Sequence, residues 1–283
     1  MKKILVTGGA GFIGTNLIKE LIREGHRVVS LDDYETGLKE NHVDGVKYID
    51  GDIEMITHIK GDFDIVYHLA ALARIQPSFQ DPLETYRVNT QGTQLVCEWA
   101  RKNNIKMIYS GSSSRWHDPL QSPYATYKKL GEDIIKMYKK VYDCDFEITR
   151  FYNVYGPHEI IDGKWAAVIG IWRHQVQESK PITIVGDGEQ RRDFTHVDDI
   201  ITALVKIGLG DYKHEDAWEL GTGQNYSINE VYEMFRERFG EIEKINLPDQ
   251  KGNYRETLRE NDDTIKVLDW SPTDRLKEYI LSL

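Results

Sequence analysis

The chain predicts a doubly wound parallel α/β sheet with a smaller C-terminal α/β lobe attached to it. Three observations carry that prediction. Short β-rich apolar runs alternate with longer helical patterns as far as Arg150. The first run leads directly into a turn spaced by glycines. After Arg150 the alternation loosens, and glycines at 156, 163, 170, 186 and 188 break it up.

The strand candidates are Lys3–Thr7, Arg27–Leu31, Val46–Asp50, Asp64–Leu69, Lys106–Ser110 and Phe146–Arg150, each ending near Gly, Asp, Asn or Ser. Helix candidates near Gly11–Glu24, Leu83–Asn103 and Tyr124–Tyr142 lie between them. In the last helix Tyr127, Leu130, Ile134, Met137, Tyr138 and Val141 recur at three-and-four spacing, so one face is expected to be buried. Farther on, Pro181–Val185 reads as a strand outside the βα rhythm and Asn229–Phe239 as a helix, followed by an irregular, charged tail. This organisation predicts a first domain over residues 1–155, with chain crossing back from later segments, and a second lobe over most of 156–283.

Composition narrows the function. Of 283 residues, 40% are hydrophobic and 29% charged, the balance of a folded globular chain. The net charge is −10, and no basic run exceeds a pair such as Lys139-Lys140 or Arg191-Arg192, so nucleic acid is not an expected partner. No apolar run reaches the length of a membrane span, and the N-terminus is too glycine-rich for a signal peptide. Cys97 and Cys144 lack any metal-binding spacing and read as reduced core thiols, so no metal site is expected and the chain is read as cytoplasmic.

The segment Lys3-Ile-Leu-Val-Thr-Gly-Gly-Ala-Gly-Phe-Ile-Gly14 is a strand entering glycines at 8, 11 and 14 and then a helix. Gly8 permits a tight turn, Gly11 lets backbone N–H groups approach a pyrophosphate, and Gly14 allows close packing of helix on strand. A glycine triplet alone is weak evidence. Here it follows a strand and precedes Asp32 at the end of the next one, which is the pattern of a Rossmann dinucleotide site. A carboxylate at Asp32 accepts hydrogen bonds from ribose hydroxyls and repels a 2′-phosphate, which favours NAD over NADP. Asp52, after the third strand, fits either an adenine contact or a loop cap.

Tyr124 and Lys128 form Tyr-x-x-x-Lys at the start of a helix, one turn apart on one face. An ammonium there would draw a tyrosine from its ordinary pKa near ~10 toward the working pH. Ser112 follows the fifth strand, where a doubly wound sheet presents its ligand face, and is placed to hydrogen-bond a substrate oxygen.

With these residues the chain resembles the extended short-chain dehydrogenase/reductases, and within them the nucleotide-sugar epimerase/dehydratase group. The likeness runs through Thr7–Gly14, Gly51-Asp52-Ile53, Val66-Tyr-His-Leu-Ala-Ala71, Asn89, Ser112, Ser122-Pro-Tyr124, Lys128, Arg150–Pro157 and Gly186–Phe194. It implies that Gly8, Gly11, Phe12, Ile13, Gly14, Asp32, Asp33, Asp52, Ile53, Leu69, Ala70, Ala71 and Asn89 line an NAD site, with Tyr124, Lys128 and Tyr152 beside the nicotinamide. It also implies Ser112, Tyr124 and Lys128 as the catalytic set, and Ser112, Tyr124, Asn153 and Arg192 as contacts of a nucleotide-diphosphate sugar, a UDP-sugar foremost. The second lobe would then bind the nucleotide sugar.

The activity implied is C4 epimerisation through a transient keto-sugar. Dehydratases of the group carry Asp and Glu directly after the active-site Ser/Thr; here Ser113, Ser114 and Arg115 follow. A decarboxylase or a dehydrogenase/reductase stays open, with Arg74 or Arg115 as a candidate active-site arginine, and so does a non-catalytic NAD-binding protein. Two departures bear on the substrate. Only a short loop separates Ser112 from Tyr124, and Gln250 stands where an arginine normally meets the diphosphate, with Lys251 or Arg255 as possible substitutes. Family likeness further implies a homodimer built on the two long helices, for which Tyr86, Leu95, Trp99, Ile135 and Tyr142 offer apolar area.

Overall fold

The computed structural model describes residues 1–283. All six anticipated early strands form, as β1 (Lys3–Thr7), β2 (Arg27–Asp32), β3 (Lys47–Asp50), β4 (Ile65–His68), β5 (Lys106–Ser112) and β6 (Phe146–Phe151). Between them lie α1 (Phe12–Arg23), the short α2 (Ile75–Gln80) and α3 (Pro82–Tyr86), then α4 (Gly92–Lys102) and α5 (Pro123–Tyr142). Helix α5 starts sharply because the Ser122 side chain accepts from the Ala125 N–H at 3.2 Å and Pro123 occupies the first helical position.

The expected helix Leu83–Asn103 is one helical path in three parts. α3 and α4 are joined by a wider π-type turn over Arg87–Gln91. Such widened turns gather at functional sites, and here the wide turn carries Asn89. Its amide accepts from the Leu72 N–H at 2.8 Å and donates to the Leu72 carbonyl at 3.0 Å.

After β6 the chain forms β7 (Asn153–Tyr155), α6 (Val168–Gln177), β8 (Ile182–Val185), β9 (Arg191–His196) and α7 (Val197–Leu209). It continues through β10 (Trp218–Leu220), β11 (Asn225–Ser227), α8 (Ile228–Phe239), β12 (Lys244–Leu247), α9 (Asp263–Leu268) and α10 (Leu276–Ser282). The tail read as irregular therefore holds two short helices. Neither has the length for a strong 3.6-residue period; each is stabilised by burying one or two apolar residues, Leu268 in one and Leu276 and Ile280 in the other.

The main sheet has the order β10-β6-β5-β4-β1-β2-β3 with every pairing parallel. Strand order reverses between β1 and β4, where Thr7 pairs with His68. The carboxyl ends of β1, β2, β4 and β5 consequently open onto one crevice at the switch point. One face of the sheet is covered by α1 and α7, through Leu17, Ile18, Ile200 and Leu204. The other is covered by α4 and α5, through Val96, Trp99 and Ile135. A separate apolar cluster of Tyr155, Trp172, Phe194, Val231 and Phe235 binds α6 and α8 to the small sheets β11-β9-β7 and β12-β8.

Two elements of the second half thus belong to the main sheet. Helix α7 lies under it, and β10 extends it beside β6, with Trp218 opposite Thr149. The Trp218 ring is fully buried and donates from Nε1 to Glu147 Oε2 at 2.7 Å. Trp218→Ala is expected to cost about 3–5 kcal/mol, because it leaves both a cavity and a buried carboxylate short of a donor. Urea unfolding checks this; a loss under 1 kcal/mol would mean that β10 is peripheral to the sheet.

Candidate active site

The crevice at the switch point is one continuous cavity of about 690 Å³. Its floor is the glycine turn. Gly8 has φ +73°, and a Cβ there would lie 2.8 Å from the Ala70 nitrogen. A Cβ on Gly14 would come within 2.1 Å of the Gly8 carbonyl oxygen. At Gly11 the nearest atom to a Cβ is 3.3 Å away, so that side of the turn is open to the cavity. No side chain caps the N-terminus of α1, which leaves its first N–H groups facing the same space.

Asp32 closes one end. Its carboxylate accepts from the Ala10 N–H at 2.8 Å and from the Tyr34 N–H at 2.9 Å. Burial raises its pKa, and those two backbone donors oppose the rise. Beside it, Glu35 accepts from Trp165 Nε1 at 3.1 Å and pairs with Lys164 at 3.3 Å. The segment after Gly163 is thereby tied across this end of the cleft.

Ser112, Tyr124 and Lys128 meet at the other end, all lining the cavity. Burial raises the Tyr124 pKa, while a hydrogen bond with Ser112 and the charge of Arg74 lower it. Lys128 departs from the expectation. It shares the helix face, but its Nζ donates to the Ser110 carbonyl at 2.8 Å and sits over the Tyr109 ring. The charge acting directly on the Tyr124 hydroxyl comes from Arg74. Burial pushes Lys128 itself down to about 7, with Glu132 one turn further along opposing the fall.

Behind this wall lies a buried ionic cluster. Arg150 donates to Glu132 at 2.7 Å and to Glu219 and Asp216 at 2.8 Å each. Tyr152 places its ring on the cavity but donates its hydroxyl away from it, to Glu219 Oε2 at 2.9 Å. Trp116 Nε1 donates to the same oxygen at 3.2 Å, and Arg115 approaches Glu132 at 3.9 Å. Arg115 is therefore engaged behind the site, whereas Arg74 lines it.

Arg192 and Asn153 also line the cavity. Arg192 forms no salt bridge; Asp193 is instead held by the N–H groups of Thr222, Gly223 and Arg259. Burial lowers the Arg192 pKa to about 10, and its only hydrogen bond is to the Arg191 carbonyl at 2.8 Å. Asn153 donates to Thr257 Oγ1 at 3.2 Å, its amide oxygen remaining free of protein donors.

Most of the anticipated residues come together here: Gly8, Gly11, Phe12, Ile13, Gly14, Asp32, Asp33, Ile53, Leu69, Ala70, Ala71, Ser112, Tyr124, Lys128, Tyr152, Asn153 and Arg192. Two do not line it. Asp52 caps the turn after β3 through the Glu54 N–H at 2.9 Å and pairs with Arg87 at 3.3 Å. Asn89 is wholly buried and reaches the site only by fixing Leu72. Lys251 and Arg255 do not replace the missing arginine, since Lys251 lies over Phe79 and Arg255 pairs with Asp187. Gln250 does face the cavity.

Sequence reasoning missed the cover from the C-terminal segment. Tyr254 stacks on His117 with centroids 3.9 Å apart, and its buried hydroxyl has no protein partner. The short Ser112–Tyr124 loop is thus walled by a distant part of the chain. No local signal in the sequence could have paired these two rings.

Residues 4–221 match the NAD dependent epimerase/dehydratase family. The chain belongs to that family. Its cofactor is accordingly NAD, and the open glycine turn, the uncapped helix N-terminus and Asp32 suit such a dinucleotide. Among characterised members it is 32% identical to UDP-glucose 4-epimerase of Mycolicibacterium smegmatis, over 98% of this chain and 96% of that protein. The solved structure of UDP-glucose 4-epimerase from Thermotoga maritima, with UDP-glucose, superposes with a TM-score of 0.92 at 27% identity, covering 99% of this chain and 96% of that one. UDP-glucuronic acid 4-epimerase from Bacillus cereus, in complex with UDP-glucuronic acid and NAD, gives 0.86 at 29% identity, covering 98% and 96%.

The family tyrosine–lysine pair carries a stability cost in this chain. Lys128 titrates at its ordinary 10.5 when unfolded and at about 7 when folded. Between those values the unfolded chain holds a proton that the folded protein lacks, so stability rises with pH there. Below pH 7 both states are protonated, and the burial cost is felt in full. Lys128→Met is expected to be more stable than the parent at pH 6 by on the order of 2–4 kcal/mol, with the gap closing by about pH 10. Urea unfolding across that range reads both; a destabilised variant at pH 6 would contradict a costly buried charge.

Proposed function

We propose that this protein interconverts the C4 epimers of a UDP-sugar, using NAD that is reduced and reoxidised within each cycle. The observation that carries the reading is the single cavity joining the glycine turn and Asp32 to Ser112, Tyr124, Arg192 and Asn153. One pocket with a dinucleotide cradle at one end and an acid/base pair at the other suits a reaction in which the sugar never leaves the cofactor's side. The similarity to UDP-glucose 4-epimerases over nearly the whole chain supports the same reading.

Tyr124 takes the proton from the C4 hydroxyl and returns it after the sugar has turned over as the keto form. Ser112 holds the same oxygen, and its hydrogen bond together with the Arg74 charge favours the phenolate. Bound NAD supplies the hydride acceptor and donor. Gly8, Gly11 and the start of α1 would hold its pyrophosphate and Asp32 a ribose, with Leu69 to Ala71 and the Tyr152 ring toward the nicotinamide. Arg192, free of any carboxylate, forks onto the sugar diphosphate, while Asn153, whose NH2 is held by Thr257 and the Asp193 carbonyl, leaves its amide oxygen to accept from a substrate hydroxyl. Ser113 and Ser114 provide no acid for loss of water, and Arg115 lies outside the cavity lining, so dehydratase and decarboxylase readings are less well supported.

We place the dimer interface on the exposed face of α3 and α5. Leu83, Tyr86, Leu130, Met137, Val141 and Tyr142 are exposed there, whereas Trp99 and Ile135, also anticipated at an interface, are buried in the core of one chain. The free thiols Cys97 and Cys144 suit a reducing, cytoplasmic setting.

Proton NMR of the purified protein with UDP-glucose, UDP-galactose and their uronate and N-acetyl counterparts tests the activity. Interconversion of a C4 pair without net NADH is expected; accumulation of NADH would move the protein to dehydrogenase or decarboxylase chemistry. Tyr124→Phe should lower kcat by about 10²–10⁴-fold while retaining bound NAD. Sedimentation velocity is expected to give twice the chain mass, and a Val141→Glu, Met137→Glu variant to sediment as a folded monomer. A monomeric parent protein would remove the interface assignment.

A further inference from the structure

The carboxylates and guanidiniums lining the cavity are segregated. Its only acids, Asp32, Asp33 and Glu35, all lie at the end beneath the strand β2 crossing. Toward Tyr124 the lining has no carboxylate but two guanidiniums, Arg192 and Arg74. Arg192 is accounted for by a diphosphate. Arg74 is not.

Arg74 is half-buried, and burial lowers its pKa. It donates from Nε to the Ala166 carbonyl at 3.2 Å and from Nη1 to the Ala73 carbonyl at 2.8 Å, and no carboxylate pairs with it. Glu159, whose charge reaches it, is itself held by Arg173 at 2.8 Å and by the Tyr279 hydroxyl at 3.0 Å. A desolvated guanidinium with donors to spare and no counter-ion is costly unless a ligand supplies the anion.

The direction in which Arg74 faces narrows that anion. It lines the same cavity as Tyr124 and immediately precedes α2, whose Ser78 Oγ accepts from the Tyr124 N–H at 3.1 Å, so its charge lies beside the hydroxyl assigned to the C4 oxygen. In a hexose ring, C6 is attached to C5, next to C4. A cation beside the C4 base is therefore within reach of a substituent at C6; Arg192 acts on Tyr254 and not on the Tyr124 hydroxyl. We propose that Arg74 binds a carboxylate at C6, so that the preferred substrate is a nucleotide-linked uronic acid and not a neutral hexose. This rests on the C4-epimerase reading given above. No bond is made or broken at the carboxylate; the arginine forks onto its two oxygens and selects for it.

The test compares kcat/KM of the NAD-loaded protein for the UDP-glucuronate/UDP-galacturonate pair and for the UDP-glucose/UDP-galactose pair. The uronates are expected to be favoured by about 100-fold or more. Arg74→Gln should erase most of that ratio, and Arg74→Lys, which keeps the charge but not the fork, should retain part of it. A parent protein that prefers the neutral hexoses overturns the proposal. So does an Arg74→Gln variant that lowers both pairs equally, which would leave the arginine acting only on Tyr124 or on the shared diphosphate. Loss of bound NAD from that variant also overturns it, since the anion would then be a cofactor phosphate.

Calorimetric titration with UDP-glucuronate and UDP-glucose separates the two levels of inference, because it needs no turnover. Tighter uronate binding that depends on Arg74 supports the proposal even if no epimer forms, in which event only the reaction assigned above fails. Equal binding of the two nucleotides overturns it.

Discussion

Arg150 gathers Glu132 from α5, Glu219 from β10 and Asp216 from the turn before it around one buried guanidinium. Removing Arg150 would leave Glu132 and Glu219 as uncompensated charges in the interior, so the four groups define one another's positions more than they add net stability. Much of the site is hung on them. Glu132 lies one turn beyond Lys128 on the helix that starts with Tyr124. Glu219 takes the hydroxyl of Tyr152 and the indole of Trp116, orienting both rings from behind. The cluster thereby locks α5, β6 and the edge strand β10 into a single register beside the cavity.

That register explains why the chain crosses back to the first domain after building most of the second. Strand β10 is only three residues long and pairs with β6 alone. It adds little hydrogen bonding, but it delivers Glu219 to Arg150 and Trp218 to Glu147. The neighbouring segment 221–223 holds Asp193 through the N–H groups of Thr222 and Gly223, next to Arg192. The sugar-side wall and the Rossmann sheet are therefore mechanically one piece, which suits a reaction whose reacting atoms must keep their alignment through two hydride transfers.

The electrostatic layout of the cavity follows the same logic. In the proposed assignment, the acids at the Asp32 end would meet neutral ribose hydroxyls, and uncharged backbone N–H groups the pyrophosphate. Unpaired guanidiniums are confined to the end where Tyr124 works. There Arg74 and Ser112 oppose the rise in the Tyr124 pKa that burial imposes. Lys128, bound to the Ser110 carbonyl, is a more remote participant than its spacing implied.

What the sequence determined by itself was whatever repeats or is contiguous. The six parallel strands and their order of appearance were legible because each is a short apolar run closed by a turn residue. The phosphate turn was legible because its glycines answer steric demands within a dozen residues, and α5 because its cap and its proline are local. The apolar stripe expected to be its buried face was misassigned: Leu130, Met137 and Val141 are exposed, and the helix instead buries Ala125, Lys128, Gly131, Glu132, Ile135 and Tyr138, because its inner face meets the ionic cluster as well as the core. What only the tertiary structure decided were groups whose roles depend on distant partners. Asp52 and Asn89 sit in suitable motifs, yet one is occupied by Arg87 and a turn N–H and the other by Leu72. Three-residue strands such as β7, β10 and β11 are too short to show a period and exist because a neighbouring strand is already there. The stacking of Tyr254 on His117 and the absence of any carboxylate paired with Arg74 arise from segments far apart in the chain. Spacing can report which residues share a face, but only packing reports which charges are left without a partner.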